Sequence, residues 1–260
     1  MNLKLGKLPA RPGAVKLKFG DYANTSVLAT PPTSFGHDRL VGEWGILAND
    51  QVGDCAIADA LHQTLLWNLE AGVAIPLDDD CAIANYSAVT GYNPADPSSD
   101  QGTDVPTLVQ YRLNNGLVDA GGNIHKIAAA VALEPGDWEQ LIYALYYFDG
   151  VTLGVAMYQQ WMNKFTRTAA SGNVVVWDEV KTPKVIGGHA ITGVAFHDDL
   201  ARIITWGTDI VGVTETGYSQ ASDETYAFLT EEKLNNGVDL NGLDAEKLKA
   251  DLPLLQDITT

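Results

Sequence analysis

The chain holds two cysteines and five histidines, the side chains best suited to nucleophilic and proton-transfer chemistry near neutral pH. Cys55 is the distinctive one. In "NDQVGDCAIADALHQ" it follows a Gly-Asp turn and opens a helical apolar pattern, so its sulfur meets the positive end of a helix. Dipole and free N–H groups favour a thiolate there. Cys81 lies mid-helix among Ala and Ile and reads as a core residue. A nucleophilic thiolate also needs a base from elsewhere in the fold and a donor for the oxyanion. His189 is the candidate base: "GGHAITGVAF" sets it at the start of a β-run, after two glycines that leave room beside the ring. His62, further along the helix of Cys55, reads as packed or solvated, and His37, His125 and His197 neighbour turn residues and read as surface. Asp54, next to the thiol, opposes its ionisation.

These residues need elements to hold them. "CAIADALHQTLLWNLEAG" carries Ala58, Leu61, Leu65 and Leu66 at helical spacing, with Asp54 as N-cap and Gly72 as stop. Further helices are predicted around "LDDDCAIANYSAVTG", in "VPTLVQYRLNNGL" opened by Pro106, and in "PGDWEQLIYALYYFDG", followed by a strand "VTLGVAMY". "YNPADPSSDQGTD" reads as a solvated loop, since Asp96, Asp100 and Asp104 recur every fourth residue and lack the alternation of a calcium loop. The last hundred residues change character: "NVVVWDEV", "HAITGVAF", "ARIITWG" and "TYAFL" are β-branched or aromatic runs of an antiparallel sheet. The fold class is therefore α+β, a helical first half meeting a sheet-rich second half with a cleft between them.

Composition narrows the partners. A net charge of −17 with 16 basic residues argues against nucleic acid and against anionic membranes. Nothing resembles a secretory signal or a membrane span, and two cysteines without a C-x-x-C pattern make neither a disulfide framework nor structural zinc. No cofactor and no metal are expected, and a reducing, cytoplasmic setting is the default.

The ordered set "GDC" opening a helix, "GGHAITGVAFHDD" and "TWGTD…GY" resembles the papain-like cysteine peptidases, with "GDC" similar to the calpain version of the motif. "DQGTDVPTLVQYRLNNGL" and "DWEQLIYALYYFDGVTLGVAMY" resemble the family's segments around the lobe junction, so the likeness covers roughly residues 40–230. It implies a papain-like body over 46–235 (helical lobe about 50–148, sheet lobe about 149–230). Residues 1–45, with scattered Pro and Gly and no long periodic run, read instead as an extended arm that wraps the body; neither they nor a tail over 236–260, expected to pack on the body, match that family. The resemblance implies an acyl-enzyme route on a peptide or other amide bound in the interlobe cleft, with Cys55 as nucleophile and His189 as base. The family's oxyanion glutamine falls at Asn49, six residues before Cys55, with Gln51 as the nearby substitute. The family's histidine-orienting asparagine falls at Ile204, which cannot hydrogen-bond an imidazole, leaving Thr205 or Asp209 as replacements. The acidic chain also resembles uncharacterised papain-fold proteins of bacteria and phages. The alternative is thus a non-catalytic structural component of a phage or prophage particle, partnered by other virion proteins.

Overall fold

The computed structural model describes residues 3–168, 172–230 and 244–257. Of the expected tail, residues 236–243 and 258–260 lie outside the described residues, as does the 231–235 end of the expected body.

Helices dominate up to residue 148. After a single turn, α1 (Phe19–Tyr22), come α2 (Cys55–Glu70), α3 (Asp79–Thr90), α4 (Val105–Asn114) and α5 (Trp138–Phe148). The last four are the helices that apolar spacing predicts. Their starts follow local chemistry: Asp78, Asp104 and Asp137 each accept a first-turn backbone N–H, from Cys81, Thr107 and Gln140, at 2.8, 2.8 and 3.0 Å. Asp54 stands at the N-cap of α2 but makes no capping bond, because its carboxylate is turned to Asn49.

The strands are β1 (Phe35–Gly36), a ribbon of β2 (Leu117–Val118) with β3 (Ile124–His125), then β4 (Ala129–Leu133), β5 (Val151–Tyr158), β6 (Val175–Trp177), β7 (Val185–His197), β8 (Leu200–Thr205), β9 (Thr208–Val213) and β10 (Ser222–Leu229). Among the described residues the main sheet runs β4-β10-β5-β7-β8-β9-β6, with β1 added on β7. All its pairs are antiparallel except β6 with β9. Periodicity passes over α6 (Gln159–Thr168) and α7 (Glu215–Ala221); Trp161 and Phe165, buried four residues apart, carry the helical signal of α6. A last helix, α8, spans Ala245–Asp251. No described helix is long and apolar enough to cross a membrane.

A buried polar cluster joins the helical part to the sheet. Asp59, on α2, accepts from Thr152 of β5, from Thr192 of β7 at 2.7 Å and from Gln63 at 3.0 Å. Arg112, on α4, donates to Gln63 at 2.8 Å and lies over the rings of Trp67 and Phe228. Every member has a partner, so the network fixes how α2 sits on the sheet, and with it where Cys55 is presented.

Candidate active site

Cys55 is the first residue of α2 and only 1% exposed. The turn before it is held from outside. Leu47 and Ala48 have φ of 54° and 63°, a left-handed conformation that side chains disfavour. Asp79 of α3 accepts the Ala48 N–H at 2.8 Å, while Asp100 accepts the Gly53 N–H at 3.0 and 3.1 Å and the Tyr86 hydroxyl at 2.7 Å. The acidic loop is therefore more than solvated surface: Asp96 caps a short helical turn, Asp100 pins the nucleophile turn and Asp104 caps α4.

His189 lies on β7 opposite Val155 of β5 and is as buried as Cys55. The N–H of Ala190, the next residue, donates to Cys55 Sγ at 3.5 Å, so the sulfur rests against the histidine strand. The imidazole is fixed on two sides. Its Nε2 is 2.8 Å from Thr205 Oγ1, and its ring stacks on Trp206 with centroids 4.5 Å apart and planes 19° from parallel. Nδ1 is buried and has no hydrogen-bond partner among the described residues. Thr205 reaches the ring through the pairing of β8 with β7, Gly193 opposite Ile203 and Thr192 opposite Ile204, which by alternation turns Thr205 to the His189 face and Ile204 away from it. Ile204 goes instead into an apolar cluster with Val41, Trp44, Leu65, Leu66, Val194 and Ala195. Of the two polar replacements open in the sequence, the one that meets the ring is Thr205.

Asn49 is buried near the turn, but both amide hydrogens are engaged, with Asp54 Oδ1 at 3.1 Å and Val52 O at 3.4 Å. Gln51 is exposed and donates to Asp79 at 2.8 Å. Neither carboxamide is directed at a free position in this form.

What covers the cysteine is the chain's own N-terminus. Residues 4–8 run extended across it and bond to both sides. Lys4 N–H donates to Asn49 O (3.0 Å), Leu8 N–H to Thr103 O (2.9 Å), Thr103 N–H to Gly6 O (2.7 Å) and Lys7 N–H to Gly188 O (3.2 Å). Trp206 Nε1 donates to Lys4 O at 3.1 Å. The fit depends on glycines: a Cβ on Gly6 would lie 1.8 Å from Gly53 O, and one on Gly102 2.2 Å from Gly6 O.

Burial sets the protonation of the covered site. It pushes the Cys55 thiol up to about 12; the N–H groups of Ala190 and Gly6 pull the other way, and Asp54 adds to the rise. Burial also brings His189 down to about 3. A helix end is worth roughly 0.3–1 kcal/mol to a nearby anion, less than one pKa unit, so desolvation wins and the covered pair is a neutral thiol and a neutral imidazole. Asp54, equally sealed, is raised by burial well above the usual carboxylate range. As for metals, among the described residues His37, Glu70 and Asp149 bring one possible ligand atom each within 4.8 Å of one another, with His37 Nδ1 2.6 Å from Glu70 Oε1.

No protein-family model matches the chain, and no curated protein matches it. Solved structures do. Xylellain, a cysteine protease from Xylella fastidiosa, superposes with a TM-score of 0.64 at 13% identity, over 88% of this chain and 97% of that one. The fold is papain-like. ProCathepsin B S9 from Trypanosoma congolense gives 0.61 at 12% identity over 88% and 87% of the two chains. The Carica candamarcensis cysteine protease CMS1MS2, in complex with E-64, gives 0.55 at 13% identity over 76% and 99%. The papain-like chain here shares their architecture at identities that speak for fold alone.

Proposed function

We propose that this papain-fold chain is a thiol hydrolase of peptides or other amides, held latent by its own first residues. The observation that carries the reading is the His189 environment: a buried imidazole with Thr205 at Nε2, Trp206 on its face and the Cys55 sulfur bonded to the next backbone N–H. An idle core histidine needs no such arrangement. The calpain-like reading of Gly53-Asp54-Cys55 and the expected division into arm, body and tail belong to the same proposal.

With Nε2–H donating to Thr205, Nδ1 is the basic nitrogen. Once the arm leaves, water and substrate enter, the desolvation penalty falls, and the sulfur proton passes to Nδ1. Sγ then bonds to the substrate carbonyl carbon, whose oxygen becomes the oxyanion. The Cys55 N–H receives that charge, joined by Asn49 when it releases Asp54, or by Gln51. The imidazolium gives its proton to the leaving amine as the C–N bond breaks. Water, deprotonated by His189, then cleaves the thioester and restores the thiol.

The test is the full chain carrying Gly6→Ala, whose Cβ cannot coexist with Gly53 O. We expect it to hydrolyse a peptide and ester panel at least about tenfold faster than the parent, with Cys55→Ser abolishing the gain. A well-folded Gly6→Ala chain that turns over nothing would leave the other reading, a non-catalytic component such as a phage-particle protein.

A further inference from the structure

The arm does more than lie over the sulfur: it delivers one side chain into a built pocket. Lys7 is followed along the arm by Leu8 and preceded by Gly6, whose N–H works against the rise of the Cys55 thiol pKa. The Lys7 side chain is fully buried. Its ammonium donates to Asp223 Oδ2 at 3.0 Å, to Glu224 Oε1 at 2.9 Å and to Leu8 O at 2.9 Å. Glu224 Oε2 also accepts from the Tyr226 hydroxyl at 2.9 Å.

Three features go beyond what anchoring a chain end requires. Consecutive residues of a strand point to opposite faces, so Asp223 and Glu224 should not reach one cation. They do because the β5–β10 register slips between Ser222 and Glu224, turning both carboxylates the same way. The stem of the lysine passes through space left by glycine: a Cβ on Gly154 would sit 2.9 Å from Lys7 Cε and 2.5 Å from Glu224 Cγ, and one on Gly188 2.4 Å from Lys7 O. Finally, two carboxylates face one ammonium, and Asp223 Oδ1 is buried with no hydrogen-bond partner among the described residues. That spare acceptor suits a cation with more donors than lysine, such as the five-donor fork of arginine.

The pocket adjoins the reacting atoms. Gly188, whose carbonyl pairs with Lys7 N–H, directly precedes His189, and Gly154 pairs with both Ala190 and Glu224 across the sheet. Any extended peptide whose N–H bonds to Gly188 O projects that residue's side chain where Lys7 now lies.

We propose that the Asp223–Glu224 pocket is a cation-selecting subsite for an extended peptide, taking the lysine or arginine side chain beside the bond presented to Cys55, and that Lys7 fills it as the chain's own stand-in. The substrate class, on the hydrolase reading above, is peptides or proteins with a basic residue at that position. A cationic ligand also suits the net charge of −17.

The test uses the full-length Gly6→Ala chain and two probes. The first is a labelled peptide of residues 3–12, compared with the same peptide carrying norleucine at the Lys7 position. The second is a set of hexapeptides differing only in lysine, arginine, glutamine, leucine or glutamate at one site. We expect the lysine form of the arm peptide to bind roughly tenfold or more tightly than the norleucine form, and lysine and arginine hexapeptides to compete best and be cleaved fastest, as a charge-assisted contact predicts. Adding Glu224→Gln, which keeps shape and an acceptor for Tyr226, should bring the basic-to-neutral ratio down toward one. In the otherwise unaltered chain, Glu224→Gln should speed alkylation of Cys55 by loosening Lys7, a readout that needs neither peptide nor turnover. Equal binding of lysine and norleucine peptides, or cleavage indifferent to charge, overturns the subsite even if hydrolysis is brisk. Selective binding of basic peptides with no cleavage keeps the subsite and removes the hydrolase reading. Unchanged Cys55 alkylation in Glu224→Gln counts against Lys7 as the held cation.

Discussion

Thr205 Oγ1 stands 2.8 Å from His189 Nε2 and is the polar side chain that meets that nitrogen among the described residues. The hydroxyl faces the imidazole because β8 pairs with β7 in unbroken register at Ile203 and Ile204, which sets Thr205 on the His189 side. If Thr205 positions the imidazole, Thr205→Val in the Gly6→Ala chain should lower kcat by between about tenfold and 10⁴-fold, the range set by loss of an orienting partner. KM should move little, and Thr205→Ser should recover most of the rate. Steady-state kinetics with a pH profile decides it; a Thr205→Val enzyme with parental kcat removes the role.

Placing an asparagine at residue 204 should hurt. Ile204 is 1% exposed in an apolar cluster, so Ile204→Asn leaves a cavity and an unpaired amide. The expected cost is about 2–5 kcal/mol, a fall in Tm of roughly 5–15 °C at this chain length. Calorimetry checks it, and an unchanged Tm would contradict the buried placement.

Cysteine labelling reads the cover directly. In the parent both thiols are raised by burial, Cys55 to about 12 and Cys81 to about 11, so iodoacetamide at neutral pH should modify both slowly. Gly6→Ala should raise the Cys55 rate by roughly an order of magnitude or more and leave Cys81 alone. Peptide mass spectrometry of a limited reaction separates the two sites.

The two buried histidines should weaken the fold on mild acidification, against an opposing contribution from buried carboxylates. Burial lowers His62 to about 4 and His189 to about 3, whereas both take up a proton near 6.5 in the unfolded chain. Their contribution is complete above pH 6.5 and is lost as pH falls toward those values, at about 1.4 kcal/mol per pH unit for each. Asp59 acts in the opposite sense: burial raises it to about 6, so its folded form keeps a proton that the unfolded chain has released, and this favours folding as pH drops from 6 toward 4. Asp54 and Glu224, also raised by burial, act in the same sense as Asp59. The histidine share is therefore read by comparison: by urea midpoints, His62→Gln should lose less stability than the parent between pH 7 and pH 5, and an equal loss would remove it.

Local chemistry alone determined much of this protein. Aspartates at helix starts, apolar spacing in α2 to α5 and β-branched runs after residue 150 fix the elements because each is set by neighbours a few residues away. Cys55 at the start of α2 and His189 on a strand were legible for the same reason. The choice among partners was not. Thr205 and Asp209 both stood open beside Ile204, and the pairing of β8 with β7 turns Thr205 to His189. Asp223 and Glu224 share one pocket through a register slip, against the alternation that their adjacency predicts, and sequence spacing carries no record of a slip. The Pro- and Gly-punctuated N-terminus showed no periodicity, since its bonds go to Asn49, Thr103 and Gly188 rather than to itself. That arm reverses the electrostatics of the site. A helix end favours a thiolate in the sequence, yet burial under residues 4–8 makes the thiol neutral, and burial is a property only the folded chain possesses.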